Sequence, residues 1–383
     1  MGGKATLARV EAHVFRTPIK EPVRASFGTM TERAAVFVRV EDSDGARGWG
    51  EIWCNFPNAA AEHRARLLAD IVAPLALGRP LDDPVALWAE LDRALHVLRI
   101  QSGDAGAFSS AAAGLDLALH DLRARKRGLP LWRALGGNDD SPVPVYASGL
   151  NPGRAAYDTV GRMRAGGYRV FKIKIGFGEE TDLDSLRPVA KELKSSERLL
   201  VDVNQGWDLV TACRMAPKLA EFDLGWIEEP LAADRPTAEW TQVAAAAPTV
   251  LAGGENMRSA AQFQHAIDSG LFGVLQPDAA KWGGHSGCLP VARAALAAGR
   301  SYCPHYLGGA IGLLHSLHLL AAVRGPGMLE VDANANPLRE EVLQNLVTVT
   351  DGSVSLPDGQ GLGLEPDLKP LSNLRSLYLE RRA

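Results

Sequence analysis

Hydrophobic and polar positions alternate along residues 8–16 and 34–40, the period of strands with one buried face. Ser43-Asp44-Gly45 is a turn signal that leads into a third strand at 47–52. The period then lengthens to that of helices over about 59–76, 83–97 and 107–127. The last of these carries Leu115, Leu119 and Leu122 on one face, and Gly128 and Pro130 stop it. Strands followed by helices predict an α+β unit. From Pro142 the pattern changes again. Short apolar runs at 143–147, 168–175, 199–203, 224–227, 249–252, 272–276, 301–303 and 327–331 alternate with helical stretches. Eight such runs predict a parallel barrel, and no GxGxxG follows a strand to favour an open dinucleotide-binding sheet. The expected α/β fold is therefore a modified TIM barrel, (β/α)7β, over 140–345, with an α+β capping domain over 1–130. A Gly- and Pro-rich segment, 346–383, is expected to return to the cap.

Nearly every expected barrel strand ends in a polar residue. In chain order these are Lys172 and Lys174, Asp202 with Asn204, Glu228 and Glu229, Glu255, Asp278 with Lys281, His305, and Glu330. From Lys174 onward, Asp202, Glu228, Glu255, Asp278, His305 and Glu330 follow one another at intervals of 23 to 28 positions. One βα unit has about that length. Such residues occupy equivalent places on successive strands and converge on the C-terminal mouth of a barrel. A lone acid or lysine at a strand end is normally a solvated loop residue; a set in step with the fold repeat is not.

Asp202, Glu228 and Glu255 bring three carboxylates together from neighbouring strands. Their repulsion is relieved by a hard divalent cation, Mg²⁺ or alternatively Mn²⁺, one per subunit. Strand alternation turns Glu228 inward beside Trp226 and leaves Glu229 as a supporting partner. Lys172 and Lys174 share a face, and the proximity of a cation and a second ammonium predicts a lowered pKa for one of them. Asp278 and His305, on adjacent strands, are placed to pair, the carboxylate fixing the imidazole tautomer. Lys281 reads as a partner for a ligand carboxylate and Asn204 as a hydrogen-bonding neighbour. His315 and His318, His120 with Asp121, and Gly283-Gly284 read as packing and turn residues.

Composition changes this picture little. The 383 residues are 46% hydrophobic and 22% charged with a net charge of −4, which offers nucleic acid or an anionic membrane no attraction. The four cysteines, Cys54, Cys213, Cys288 and Cys303, are scattered, so neither disulfide framework nor zinc site is expected and a reducing cytoplasm is. The opening MGGKATLARVEAH shows no signal-peptide core, and no apolar run has the length of a membrane span.

The KxK of Lys172 and Lys174, the acids of VDVNQGW, WIEEP and GGEN, the PDxxKxGG segment and His305 together resemble the mandelate racemase group of the enolase superfamily, over nearly the whole chain. Relatives of the muconate cycloisomerase and dipeptide epimerase types carry lysine where this chain has Asp278, which argues for the mandelate racemase group. The resemblance implies metal ligands Asp202, Glu228 and Glu255, bases Lys174 and His305, and an Asp278–His305 dyad. It further implies Lys172 on the substrate carboxylate and Glu330 donating to a developing enediolate. Superfamily sites of this kind are a standard example of a Lys or His base with Mg²⁺. Two reactions are expected, dehydration of a sugar acid ahead of racemisation or epimerisation; a non-catalytic metal-binding barrel is the alternative of another class. Substrate contacts are expected from loops at 18–31, with Arg24 and Ser26, and 53–58, with Trp53, and from Tyr146 and Ser148. A homo-oligomer is expected by the same analogy.

Overall fold

In the computed structural model, which describes residues 5–383, the alternating N-terminal segments form an antiparallel sheet. Its strands are β1 (Leu7–Ala25), β2 (Gly28–Asp42) and β3 (Arg47–Ile52). Val10, Ala12, Val14, Val36, Val38 and Val40 face the cap helices, while Phe15, Ala35, Phe37 and Trp49 join the core shared with the barrel. The helical run near 59–76 bends through a π-helical turn at Leu68–Val72, and helices Pro84–Ser102 and Ala105–Lys126 follow. Asp83 caps the first of these two, accepting from Ala86 N.

Helix Ala105–Lys126 is buried on nearly every face because it lies between the cap sheet and the barrel. Its low amphipathicity in the sequence follows from that position. The close approach depends on glycine: a Cβ on Gly50 would stand 2.2 Å from Gly114 O, and one on Gly48 would stand 2.2 Å from Ala118 O.

The barrel strands are β4 (Val143–Leu150), β5 (Val170–Lys174), β6 (Arg198–Asp202), β7 (Ile227–Glu228), β8 (Leu251–Gly253), β9 (Phe272–Leu275), β10 (Ser301–Tyr302) and β11 (Leu329–Asp332). Each pairs in parallel with the next from β4 to β10, and β11 pairs with β4. At the β10–β11 seam, Met328 N donates to Cys303 Sγ at 3.3 Å. A helix lies between each pair of successive strands, giving seven.

One expectation is corrected. The segment 18–31 is not a loop: it is the distal arm of the β1–β2 hairpin, paired as Val23–Met30, Arg24–Thr29 and Ala25–Gly28 around the turn Ser26-Phe27. A register shift between Pro18 and Val23 bends this arm, and cross-strand hydrogen bonding overrides the local Gly and Pro signals. The C-terminal tail does not go directly to the cap. Strand β12 (Val349–Thr350) first pairs with β13 (Ser353–Val354), which adds antiparallel to β4 and buries Val354 in the barrel core. Only β14 (Arg375–Arg382) joins the cap sheet, alongside β1. Residues 1–4 of the expected cap lie outside the described residues.

Buried carboxyls tie cap to barrel. Glu51 accepts from Gly309 N and Gly312 N at 2.7 and 2.8 Å, where a barrel helix begins. Asp116 accepts from Ser286 Oγ and N at 2.5 and 3.1 Å, and Asp121 accepts from Trp49 N and Leu362 N. Burial pushes Asp116 up to about 7 despite those hydrogen bonds.

Gly50→Ala is expected to destabilise the fold by roughly 1–3 kcal/mol through overpacking. Gly161→Ala, on an exposed helix with nothing within 4 Å of the new Cβ, should instead stabilise it by about 0.5–1 kcal/mol. Thermal and denaturant unfolding of both variants reads the contrast. Because folding raises the Asp116 pKa, its contribution is complete below the unfolded value near 4 and is lost as pH rises through about 7. Asp116→Asn should therefore flatten the decline of the unfolding midpoint between pH 5 and 8; an unchanged slope would exclude the assignment.

Candidate active site

The C-terminal ends of the barrel strands gather the expected residues into one buried network beneath the cap. Period-two alternation on β5 sends Lys172 and Lys174 inward, and both are buried. Lys172 Nζ lies 2.5 Å from Glu228 Oε1, 2.8 Å from Glu330 Oε1 and 3.9 Å from Asp202 Oδ2. Lys174 Nζ donates to Asp202 Oδ2 at 2.9 Å and to Asn204 Oδ1. Asp202 and Glu228 are directly opposite in the β6–β7 ladder. Glu228 Oε2 also accepts from Trp226 Nε1 at 3.1 Å and Gln276 Nε2 at 2.7 Å, consistent with its inward turn.

Across the mouth, Glu255 accepts from Lys281 Nζ and lies against His305 Nε2, each at 2.7 Å. His305 Nδ1 meets Asp278 Oδ2 at 2.7 Å, forming the expected dyad. The other oxygen of Asp278 accepts from Ala280 N and Lys281 N, so the carboxylate is held on both sides. Lys281 also sits 4.3 Å over the ring of Trp53. Glu229 turns away from Glu228 and receives Asn256 Nδ2 on both oxygens, at 2.9 and 3.1 Å.

The electrostatics of the network follow from its ion pairs. Burial alone would lower the pKa of Lys174, but the facing Asp202 outweighs both burial and the neighbouring Lys172 and raises it. Lys172 is raised as well, against burial, by Glu228 and Glu330. Burial would raise Glu330, yet Lys172 and His305 hold it down at about 2. Glu330 accepts hydrogen bonds from Ser148 Oγ at 2.6 Å and Tyr306 N at 2.8 Å.

The donor set suits a hard cation. Asp202, Glu228 and Glu255 offer only oxygen donors, and Glu229 beside them is pushed far above the carboxylate range by burial and then by Glu255 and Asp202. The expected ligand shell is not preformed, however. Among the described residues no three acidic, imidazole or thiol groups surround one point as ligands. Each of the three expected ligands is closed onto a cationic side chain instead, the arrangement that best offsets buried charge.

A cavity of about 260 Å³ opens above this network, between the barrel mouth and the cap hairpin. Lys174, Asn204, Glu255, Lys281, His305 and Trp53 line it. Five expected substrate contacts, Arg24, Ser26, Tyr146, Ser148 and Lys172, do not. Arg24 is exposed on the hairpin and only its backbone N is engaged, by Asn151 Oδ1. Tyr146 is buried below the floor, its ring under Lys172 Nζ at 5.3 Å. Lys172 is likewise beneath the cavity rather than in its wall. Ser26 acts as a pin, donating to Asn204 O at 2.6 Å and holding the hairpin tip on the barrel.

Sequence reasoning missed Gln276, Asn256 and the buried pair Arg33–Asp332, 2.6 Å apart across the cap–barrel boundary. Asp332 was within reach of it: two positions after Glu330 on one strand, it shares that residue's face. Arg33 gave no such signal within its strand.

Comparison with known proteins agrees with this geometry. Residues 9–136 match the N-terminal domain model of mandelate racemase/muconate lactonizing enzymes, and 155–370 match the enolase C-terminal domain-like model. The D-galactarolactone cycloisomerase of Agrobacterium fabrum is 30% identical over 96% of this chain and 98% of its own. The L-talarate/galactarate dehydratase of Salmonella typhimurium is 31% identical over 87% of this chain and 81% of its own. A solved mandelate racemase/muconate lactonizing enzyme from Bordetella bronchiseptica is 50% identical, covering 97% of this chain and 100% of its own with a TM-score of 0.90. A Streptomyces coelicolor racemase with bound magnesium is 30% identical, covering 96% and 99%, with a TM-score of 0.85.

Proposed function

This chain is an enolase-superfamily enzyme of the mandelate racemase/muconate lactonizing enzyme family, and we propose that it removes the proton α to a carboxylate and then expels a β-hydroxyl. The reaction is the Mg²⁺-dependent dehydration of a sugar acid to a 2-keto-3-deoxy acid. The observation that carries the reading is that Lys174 and His305, from strands two and seven of eight, line one cavity, with Asp278 2.7 Å behind the imidazole. Two groups able to move protons thus reach one small molecule from different sides.

Lys174, its ammonium proton released to solvent through the open cavity that it lines, takes the α-proton as a neutral amine; the C–H electrons enter the carboxylate as an enediolate. His305 gives a proton to the departing hydroxyl, which leaves as water, and the enol relaxes to the keto acid. Asp278 fixes the ring so that Nε2 faces the cavity side. Asp202, Glu228 and Glu255 would hold the Mg²⁺, which supplies Lewis-acid stabilisation of charge on the substrate carboxylate. Lys172, below the floor, adds fixed positive charge to the same region.

The same pair of groups supports a second reading. If His305 returns a proton to the α-carbon instead of to a hydroxyl, the outcome is racemisation or epimerisation. A β-hydroxyl placed to take the proton of His305, not a different acid–base pair, separates the two. The small-carboxylate partner is assigned on this basis. Exposed Val85, Val97, Leu98 and Ile100 on cap helix Pro84–Ser102 support assembly into a homo-oligomer. No described helix is long and apolar enough to cross a membrane, and four free cysteines fit the reducing cytoplasm.

Lys174→Ala and His305→Asn should each reduce 2-keto acid release from the accepted sugar acid by roughly 10²–10⁴-fold. α-Proton exchange in D₂O, followed by NMR, should be lost in the variant lacking the abstracting base. Full turnover in either variant would overturn the assignment. Chelation with EDTA should abolish turnover, and Mg²⁺, or less specifically Mn²⁺, should restore it; activity that survives exhaustive chelation would remove the metal from the scheme.

A further inference from the structure

The segment that carries His305 runs from β10 into helix Ala310–Val323 and has few side-chain restraints of its own. Gly308 and Gly309 follow Leu307, and Gly312 lies in the first turn of the helix. Glycine has the widest backbone freedom of any residue, so such a segment keeps one conformation only if it is held from outside. The first N–H groups of the helix also need acceptors, and its N-cap, Gly309, has no side chain to offer one.

The cap supplies the missing acceptor. Glu51, buried near the end of β3, takes Gly309 N on one oxygen at 2.7 Å and Gly312 N on the other at 2.8 Å, a carboxylate set against a helix N-terminus from another domain. Glycine makes that approach possible: a Cβ on Gly309 would stand 2.6 Å from Glu51 Oε1. A Cβ on Gly308 or Gly312 would stand 2.4 or 2.3 Å from Tyr306 Oη, so the Tyr306 ring fills the space those two residues leave. Its phenol lies beside Glu51, and burial together with that carboxyl pushes it well above the usual tyrosine range. Three more hydrogen bonds fix the segment. Tyr306 N donates to Glu330 Oε2 at 2.8 Å, Asn55 Nδ2 to Leu307 O at 2.5 Å, and Asn336 Nδ2 to Gly308 O at 2.8 Å. None of these contacts draws on Asp202, Glu228 or Glu255, so none is given up when those acids hold a cation.

We infer that Glu51 is a positioning residue for the reaction: from the cap, without touching the reacting atoms, it holds residues 306–312 so that His305 meets the substrate in register. Lys174, on β5, is placed by its own strand and does not depend on that hold. The inference rests on the proposed α-proton chemistry and adds a residue to it that acts through the imidazole alone.

The test uses Glu51→Gln in the Mg²⁺-loaded full chain, a change that keeps the side chain's length but turns an NH₂ toward one of the two N–H donors. α-Proton exchange in D₂O reports Lys174, and 2-keto acid release reports His305. Because a misplaced group costs rate more than binding, kcat for release should fall about 10–100-fold, while KM and the exchange rate each change by less than about threefold. The ratio of exchange to release therefore rises. Loss of exchange and release in equal proportion would show Glu51 to be architectural only, and unchanged release would show that it positions nothing; either outcome overturns the inference. Tyr306→Phe keeps the ring between Gly308 and Gly312, removes the phenol beside Glu51, and should raise the same ratio by a smaller factor. Should Glu51→Gln fail to fold, an unchanged ratio in Tyr306→Phe overturns the inference in its place. Absence of exchange in the unmodified chain with every sugar acid tried would instead overturn the α-proton reading beneath it.

Discussion

Carboxylates taken out of water need compensating charge, and this requirement organises the barrel mouth. Asp202, Glu228 and Glu255 arrive there because the strand repeat carries them to equivalent heights. Their charges are then offset by Lys174, Lys172 and Lys281 with His305, all within 3 Å. The facing acids consequently shift Lys172 and Lys174 upward, and Lys172 and His305 shift Glu330 downward. A cation bound among the acids would compete for the same carboxylates, so metal affinity and the protonation of Lys174 are linked through Asp202.

The cap is coupled to that network by a second set of buried polar contacts. Glu51 receives two backbone N–H groups at the start of helix Ala310–Val323, which follows His305. Arg33 reaches Asp332 on the strand that also carries Glu330. Helix Ala105–Lys126 fills the space between, approached closely by β3 at Gly48 and Gly50. Ser26 fixes the hairpin tip to the loop after β6. The roof of the cavity is therefore positioned by the same residues that hold the two domains together, and changes in the cap would reach substrate selection through packing.

The spacing of Lys174, Asp202, Glu228, Glu255, Asp278, His305 and Glu330 made the barrel and its mouth legible before any coordinates. Spacing reports strand repeat, and strand repeat fixes which side chains converge. It carries no information on protonation. Lys174 is raised because Asp202 stands 2.9 Å away, a distance set by packing across β5 and β6. Likewise Arg24 and Arg33 looked alike in the chain, yet one is exposed and the other buried against Asp332.

The sequence by itself determined the eight-strand repeat, the inward face of each strand and the chemical identity of the groups brought together, since periodicity and backbone geometry are local properties. Tertiary structure alone decided that the 18–31 segment is a hairpin arm, that the tail braces β4 before reaching the cap, and which acid pairs with which base. Those outcomes depend on contacts between residues up to hundreds of positions apart, where hydrogen bonding and desolvation outweigh local preference.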